Sequence, residues 1–213
     1  MIGQGGCFPG TAEVTLMSGD RKKMEDLKIG DKILTSFKSF SVILGWLDKQ
    51  PGMRTGFIKL ETNLTSSISL TRSHMLLSRT KNERDVTHKY AEDIKVGDLI
   101  VHAETGAEAE VLNTSLFSSV GVYSPLTYEG TIVVDGYLAS CYASYPHMAA
   151  HIALLPARVW PGALLGGDDG GTQTLFITAV KALGDFINLR NSAFSTLQVW
   201  DTLKKTAFQR VST

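Results

Sequence analysis

The Gly6–Cys7 peptide, within GQGGCFPGTAEVTL at residues 3–16, has the residue types for cleavage of its own chain. A cysteine thiol can attack the carbonyl that precedes it and exchange the amide for a thioester. The exchange is uphill because amide resonance is lost, so the amide has to be distorted and the departing amine has to receive a proton. Gly5 and Gly6 tolerate backbone angles that other residues avoid, which lowers the cost of that distortion. The pattern favours a cysteine that attacks its preceding peptide bond.

The sequence contains two cysteines, Cys7 and Cys141. They are far apart and outside any Cys-x-x-Cys or Cys/His ligand spacing, which argues against a structural zinc site. Two interpretations remain open from the residues alone. Either the pair forms a disulfide in an oxidising compartment, or at least one of them is a reactive thiol. We expect no metal and no cofactor.

The composition is that of an ordinary globular chain without a charge bias. The 213 residues are 43% hydrophobic and 20% charged, and 21 basic residues balance 21 acidic ones. A nucleic-acid partner is therefore disfavoured. No apolar run reaches the roughly 18 residues of a membrane span, and Met1 to Gly6 is too short and polar for a signal peptide. We expect any secretory signal to lie upstream, in a longer precursor of which this chain is a fragment.

Short strands dominate residues 1–145. Runs rich in Val, Ile and Thr are separated by Gly, Asp, Asn or Pro, which predicts an all-β domain. These runs are AEVTL, DKILTS, FSVILGW, FIKLE, SISLT, DLIVHAE, AEVLN and GTIVVDG.

An internal repeat lies within this β region. MEDLKIGDKIL at 24–34 matches AEDIKVGDLIV at 91–101, with Gly-Asp forming a tight turn in each copy. Two copies are too few for a solenoid, so we expect a duplicated β unit packed about a pseudo-twofold. That symmetry would bring SLTRSH at 69–74 and ASCYAS at 139–144 toward one centre.

The composition changes after residue 143. PHMAAHIALL at 146–155 predicts a helix that Pro156 ends, and residues 161–174 predict a glycine-rich linker. Apolar residues spaced by three and four predict two further helices, at 175–190 and 193–210. These helices either close against the β domain as a hairpin or form an apolar element that faces a lipid.

Six segments between residue 6 and about 160 resemble the autoprocessing domain of hedgehog proteins, and more narrowly the nematode hedgehog-related proteins of the warthog or groundhog type. They are GCF, DLKIGDKIL, VILGWLD, SLTRSHMLL, PLTYEGTIVVDGYLASCYA and AHIALLPARVW. The resemblance implies a mainly β, Hint-type pseudo-twofold disc, of the kind shared with inteins, with a small C-terminal helical adduct-recognition region. We expect 1–6 to be the end of the upstream segment, 7–150 the Hint domain and 151–213 the helical region.

Thr71 and His74 match the Thr-x-x-His motif of the resembling family. An imidazole with a pKa near 6.5 can give a proton to the leaving amine at neutral pH and take it back. The Thr71 hydroxyl would hydrogen-bond to the scissile amide and hold or polarise it. In an arbitrary β protein the same spacing would be a structural threonine and a surface histidine, so these roles depend on the resemblance.

Two further site residues follow from the resemblance. Asp48, at the end of VILGWLD, matches the aspartate that activates the sterol hydroxyl, although DKQPG also has the chemistry of a turn. Cys141 matches a position associated with redox pairing to the nucleophile or with support of the site, and a buried small hydrophobe is the alternative.

The implied function is a single-turnover reaction in cis. Cys7 cleaves the Gly6–Cys7 peptide by an N-to-S acyl shift, and a sterol or other lipid alcohol then accepts the upstream segment. The alternative is a lipid-binding or interaction module whose Hint core only hydrolyses or no longer processes. Intein splicing is disfavoured because AFQRVST lacks a cyclising residue and a second nucleophile, and a cysteine protease because no oxyanion-hole motif is evident.

The expected partners are the upstream segment of the precursor and a sterol or lipid, contacted at a membrane surface through 151–213. We expect a monomer in the secretory pathway or outside the cell. The remaining histidines have no partner pattern and are assigned to the structure: His88, His102, His147 and His151.

Overall fold

The computed structural model describes residues 7–64, 66–103, 105–142, 147–165, 167–168 and 175–186. These residues form antiparallel strands followed by short helices, which confirms the mainly β prediction. Within those ranges no helix is both long and apolar enough to cross a membrane. Three predicted features lie wholly or partly outside the described residues: the upstream segment 1–6, which includes Gly6, the last helix at 193–210, and half of the linker.

Among the described residues, eleven strands pair in the order β2-β1-β10-β11-β6-β8-β9-β4-β3, with β5 added to β4 and β7 to β6. Their bounds are β1 Glu13–Thr15, β2 Arg21–Lys23, β3 Lys32–Ser36, β4 Ser39–Thr62, β5 Ser67–Leu70, β6 Met75–Arg79, β7 Thr87–Tyr90, β8 Leu99–Val101, β9 Glu108–Thr127, β10 Thr131–Val134 and β11 Tyr137–Ser140.

The long strand β4 corrects one prediction. FSVILGW and FIKLE were expected as separate strands joined by a turn in DKQPG, but β4 runs through both and pairs with β9 along its length. The ladder shifts register between Gln50 and Arg54, around Pro51, which has no N–H to donate. The irregularity absorbs the proline without ending the strand. Asp48 therefore lies within a paired strand and not in a turn.

The two repeat copies fold into matched turns. A short 3₁₀ turn at Met24–Asp26 corresponds to one at Ala91–Asp93. Gly30 and Gly97 follow, each with a φ of 91°, in the left-handed region where glycine carries no Cβ penalty.

The aspartate after each glycine then closes the turn. The Asp31 carboxylate accepts the backbone N–H of Lys28 at 2.8 Å, and the Asp98 carboxylate accepts that of Lys95 at 3.1 Å. The same residue types make the same hydrogen bonds in both copies, so the sequence repeat marks a structural duplication.

β10 and β11 form a hairpin, and β11 ends at Ser140, next to the predicted site residue Cys141. The two-residue turn of the hairpin is Asp135-Gly136, with φ values of 53° and 92°. A turn with positive φ at both positions matches the twist of the flanking strands, which is why Asp-Gly is favoured there. The pairing of Val134 with Tyr137 sets the register through to Ser140.

We expect Gly136→Ala to lower the free energy of unfolding by about 1–3 kcal/mol, measured by urea denaturation. An added Cβ would adopt an unfavourable positive φ and would collide with the ring of His102. The control is Gly56→Ala in β4, where a Cβ meets nothing within 4 Å. Equal stability of the two variants would contradict the account of this turn.

In the part of the chain that the structure describes, four helices follow the sheet: α1 His147–Ala153, α2 Leu155–Val159, α3 Pro161–Leu164 and α4 Leu175–Phe186. Pro156 was expected to end a helix but lies in the first turn of α2, where its missing N–H has no intrahelical partner to lose. Similarly, α3 occupies the start of the predicted linker, while α4 confirms the helix predicted from residue 175. Apolar residues of these helices and of the turns beside them join the main core cluster of the sheet: Ala150, Leu154, Ala157, Leu165 and Ile177.

Candidate functional site

The segment at Cys7 and Phe8 is held by backbone pairing on two sides. Phe8 exchanges both backbone hydrogen bonds with Tyr123 of β9, at 2.9 and 3.0 Å. On the other side the Thr71 N–H donates to the Cys7 carbonyl at 2.9 Å. The backbone of Cys7 and Phe8 is therefore held between β9 and Thr71, the residue that follows β5.

The hydroxyl of Thr71 binds the nitrogen of the predicted scissile peptide. The Cys7 N–H donates to Thr71 Oγ1 at 2.8 Å, and Thr71 is 2% exposed. Because its backbone N–H also binds the Cys7 carbonyl, Thr71 holds this residue at two points. The Cys7 thiol is 1% exposed and packs in a small apolar cluster with Phe57 and Val122.

His74 is fully buried beside the same segment. Its ring centroid lies 4.5 Å from that of Phe8, and its Nε2 lies 2.9 Å from the carbonyl oxygen of Ser140. A carbonyl can only accept, so Nε2 carries the proton and Nδ1 has the free lone pair. The described residues offer Nδ1 no hydrogen-bond partner.

Burial lowers the pKa of His74 to about 4, although its hydrogen bond to Ser140 acts in the opposite direction. This pKa is well below the value near 6.5 that is ordinary for an imidazole. At neutral pH the buried ring is therefore uncharged, and its Nδ1 lone pair can accept a proton before it can return one. In this environment His74 accepts a proton first and returns it afterwards, whereas the ordinary imidazole pKa suggested that it gives a proton first.

Asp48 lies in the same part of the sheet. Phe8 pairs with Tyr123, and Asp48 pairs with Ser124. Continuing the antiparallel register puts Cys7 opposite Ser124, so Cys7 and Asp48 flank one position of β9, about 10 Å apart at two strand spacings. The Asp48 carboxylate is 9% exposed and accepts a hydrogen bond from the Gln50 amide at 2.8 Å.

The C-terminal region is attached to β4 beside Asp48. Asp168 accepts the indole N–H of Trp46 at 3.2 Å, and its carbonyl accepts from Lys49 Nζ at 2.8 Å. Leu165 packs where Gly45 leaves space, since a Cβ on that glycine would lie 2.6 Å from Leu165 Cβ. The helical region therefore borders the strand that carries Asp48.

Cys141 is a second buried thiol in a different environment. The structure holds no disulfide between the two cysteines, and Cys141 Sγ lies 3.6 Å from Thr127 Oγ1. Burial raises the pKa of Cys141 to about 11. A thiol held in its protonated form is a poor nucleophile.

The structure brings together SLTRSH and ASCYAS, the two segments that the repeat symmetry was expected to place near one centre. SLTRSH supplies Thr71 and His74, and ASCYAS supplies Ser140, whose carbonyl binds His74. Sequence reasoning did not identify Ser140, because a residue that acts through its backbone carbonyl has no side-chain signature. The position of ASCYAS at the same place in the second repeat half was the available signal.

Comparison with known proteins gives a consistent result. The family model described as Hint module matches residues 2–166. The Tiggy-winkle hedgehog protein of Danio rerio is 34% identical over 73% of this chain and 40% of its own length. Warthog protein 1 of Caenorhabditis elegans is 32% identical over 64% of this chain and 29% of its length. The chain thus spans less than half the length of these relatives.

Solved structures support the fold assignment. The crystal structure of the gp41-1 intein superposes with a TM-score of 0.53 and 14% identity, covering 64% of this chain and 99% of the intein. A DnaB intein from Synechocystis gives a TM-score of 0.51 with 15% identity over 63% of this chain and 97% of the intein. At such identities the similarity concerns the fold alone, and the family model carries the assignment: the chain belongs to the Hint module family, as a hedgehog-like autoprocessing domain.

Proposed function

We propose that this domain cleaves its own precursor between Gly6 and Cys7 and transfers the upstream segment to a sterol or other lipid alcohol. The observation that carries the proposal is the hydrogen bond from the Cys7 N–H to Thr71 Oγ1, with the imidazole of His74 buried alongside. A threonine hydroxyl bound to that nitrogen, next to a neutral base, meets the needs of an acyl shift at the preceding peptide.

In the first step the proton of Cys7 Sγ passes to His74 Nδ1, and the sulfur forms a bond to the Gly6 carbonyl carbon. The C–N bond breaks as His74 returns the proton to the Cys7 nitrogen, leaving a thioester and a free amine. Burial keeps the His74 ring neutral at pH 7, so its Nδ1 lone pair is free to accept, and the lowered pKa of His74 favours the return of the proton to the departing nitrogen. Thr71 would keep the nitrogen in place while its bonding changes.

In the second step the hydroxyl proton of the lipid alcohol passes to the Asp48 carboxylate. The alcohol oxygen then bonds to the Gly6 carbonyl carbon, and the C–S bond breaks to release Cys7 as a thiolate, which takes the proton. A hydroxyl is a weak nucleophile without such a base. The nearly buried Asp48 carboxylate, held by Gln50 and bordered by the C-terminal region, supports this role.

The exposed face of the helices supports a lipid co-substrate. Large apolar side chains there are half to nine-tenths exposed: Ile152, Leu155, Val159, Trp160 and Leu175. Apolar helix residues with a tryptophan among them suit the boundary between headgroups and acyl chains. We propose that this face meets a membrane and admits the alcohol, and that the domain works as a monomer in the secretory pathway on its own upstream segment.

The test is the intact mass of a fusion with a reporter upstream of Gly6, incubated with dithiothreitol or with cholesterol. We expect dithiothreitol to release a reporter that ends at Gly6, and cholesterol to produce the corresponding ester. Asp48→Asn should retain cleavage by dithiothreitol but form the ester at least about 10²-fold more slowly, because only the second step lacks its base. Measuring both products on the same samples separates the two steps.

Each other outcome points to a different function. Release without any ester, in the presence of cholesterol and other lipid alcohols, would mean hydrolysis only. If Asp48→Asn forms the ester at the parent rate, Asp48 is not the base of the second step. No release under either condition would contradict autoprocessing and leave a lipid-binding or interaction module with a Hint core.

A further inference from the structure

Ser140 connects His74 to the helical region through two different groups. Its backbone carbonyl accepts from His74 Nε2 at 2.9 Å, and its side-chain Oγ lies 3.2 Å from Nδ1 of His147. His147 is the first residue of α1 and is 4% exposed. One residue at the end of β11 therefore bridges the predicted base and the first helix.

The hydrogen bonds around Ser140 have one consistent direction. The Tyr142 N–H donates to Ser140 Oγ at 3.1 Å, so the Ser140 hydroxyl proton is available for His147 Nδ1. Burial, with His151, His88 and Arg158 nearby, lowers the pKa of His147 to about 3. The ring is then neutral, and its Nδ1 accepts from Ser140 while Nε2 holds the proton.

The far side of His147 is held by the helices. Its ring stacks on that of His151 at 5.5 Å between centroids, with an interplanar angle of 14°. His151 accepts from Arg158 at Nε2 and contacts the Tyr142 hydroxyl at Nδ1, each at 2.6 Å. Arg158 also donates to the Tyr128 carbonyl at 3.0 Å. His147 is thus fixed by α1, α2 and the sheet together.

We propose that His147 is a positioning residue for His74 that acts through Ser140, so that docking of α1 determines which nitrogen of His74 is protonated. The inference rests on the proposed function, in which Nδ1 of His74 must be free to accept the Cys7 proton. The Ser140 carbonyl holds the proton on Nε2. If the Ser140 peptide turns away, the other tautomer becomes accessible, and that tautomer has no lone pair at Nδ1.

The mechanism requires no proton transfer through Ser140. A backbone carbonyl accepts a hydrogen bond but does not relay a proton, so the influence of His147 is geometric. It makes α1, the helix that leads into the region assigned to the lipid co-substrate, a determinant of the first step. A reaction that needs no lipid should therefore still respond to a change at His147.

The first experiment reads the tautomer of His74 by ¹⁵N NMR of its ring in a Cys7→Ala full-length chain, which cannot process. His74→Gln identifies the signal. We expect one tautomer, protonated at Nε2, when His147 is present, and a mixture of tautomers in His147→Leu. His147→Asn should restore the single tautomer, because its side-chain amide can bind Ser140 Oγ in place of Nδ1.

The second experiment measures cleavage by dithiothreitol in the reporter fusion. We expect His147→Leu to slow cleavage about tenfold and His147→Asn to recover most of the rate. His102→Gln is the matched control: it changes another buried histidine, bonded to Thr105 and packed on Tyr137 at the far end of β11. It should lower stability while leaving the rate and the His74 tautomer unchanged.

A His147→Leu chain that folds, keeps the single tautomer and cleaves at the parent rate would overturn the proposal. If that variant does not fold, Ser140→Ala replaces it, since it removes Oγ but keeps the carbonyl and should give the same mixture of tautomers. A parent-like tautomer in Ser140→Ala would equally refute the inference. Absence of cleavage in the parent would instead refute the proposed function, and the NMR result would still decide whether His147 positions His74.

Discussion

A fusion carrying Cys7→Ala is expected to remain at its full mass with dithiothreitol and with cholesterol, under conditions in which the parent is cleaved completely. Without the thiol no thioester can form, and both steps of the proposed reaction proceed through it. The methyl group fits the apolar surroundings of Phe57 and Val122, so the fold should survive. Intact mass over the full time course, with circular dichroism to verify folding, measures the effect.

Cys141→Ala is the matched control for Cys7→Ala, because it removes the other thiol. Its sulfur is buried beside Thr127, and burial raises the pKa of Cys141 to about 11, so it is not suited to attack a peptide at neutral pH. We expect this variant to be cleaved by dithiothreitol. Two outcomes would show that Cys7 is not the nucleophile. One is cleavage of the Cys7→Ala fusion after Gly6, and the other is loss of cleavage in a folded Cys141→Ala variant while Cys7→Ala is still cleaved.

Much of the fold follows from short-range sequence features. Gly-Asp at 30–31 and 97–98 was predicted to form a tight turn in each repeat copy, and Gly30 and Gly97 do close matched turns, so local chemistry was enough to predict these connections. The repeat then indicated that two such units pack together. Each of these features depends on a few neighbouring residues, and a single sequence displays them directly.

Other features depend on distant parts of the chain and were not predictable from local patterns. Pro51 and Gly52 have the composition of a turn, but the long ladder with β9 keeps β4 continuous through them. Pro156 resembles a helix terminator, yet it lies in the first turn of α2, after the non-helical backbone of Leu154. In β4, tertiary pairing decides between two conformations that the local residues permit.

The candidate site shows the same division. Residue types and the family resemblance were sufficient to nominate Cys7, Thr71 and His74. They did not indicate that His74 is fully buried, nor that its Nε2 binds Ser140, which is 66 residues away. The protonation state of the histidine, and hence its role at each stage, follows from those contacts and not from its identity.

His74→Gln is expected to slow cleavage by dithiothreitol by about 10³–10⁴-fold, because His74 is assigned both proton transfers of the first step. The glutamine side chain can still donate from its amide to the Ser140 carbonyl, so the surrounding structure should be kept while the base is lost. The measurement is the initial rate of reporter release, and the free energy of unfolding at pH 7 verifies that the fold is intact.

The pH dependence gives an independent check on the same residue. The folded pKa of His74 is about 4, below the ordinary imidazole pKa near 6.5, so the unfolded chain binds more protons between these values. His74 therefore contributes stability at pH 7 that is lost as pH falls from about 6.5 to 4, by roughly 3 kcal/mol in all. His74→Gln should show a smaller loss of stability over this interval than the parent, with the buried His147 and the half-buried His151 contributing equally to both. Parallel stability curves for the two proteins would mean that His74 is not held neutral by burial. A cleavage rate of His74→Gln within tenfold of the parent rate would mean that His74 is not the base of the first step.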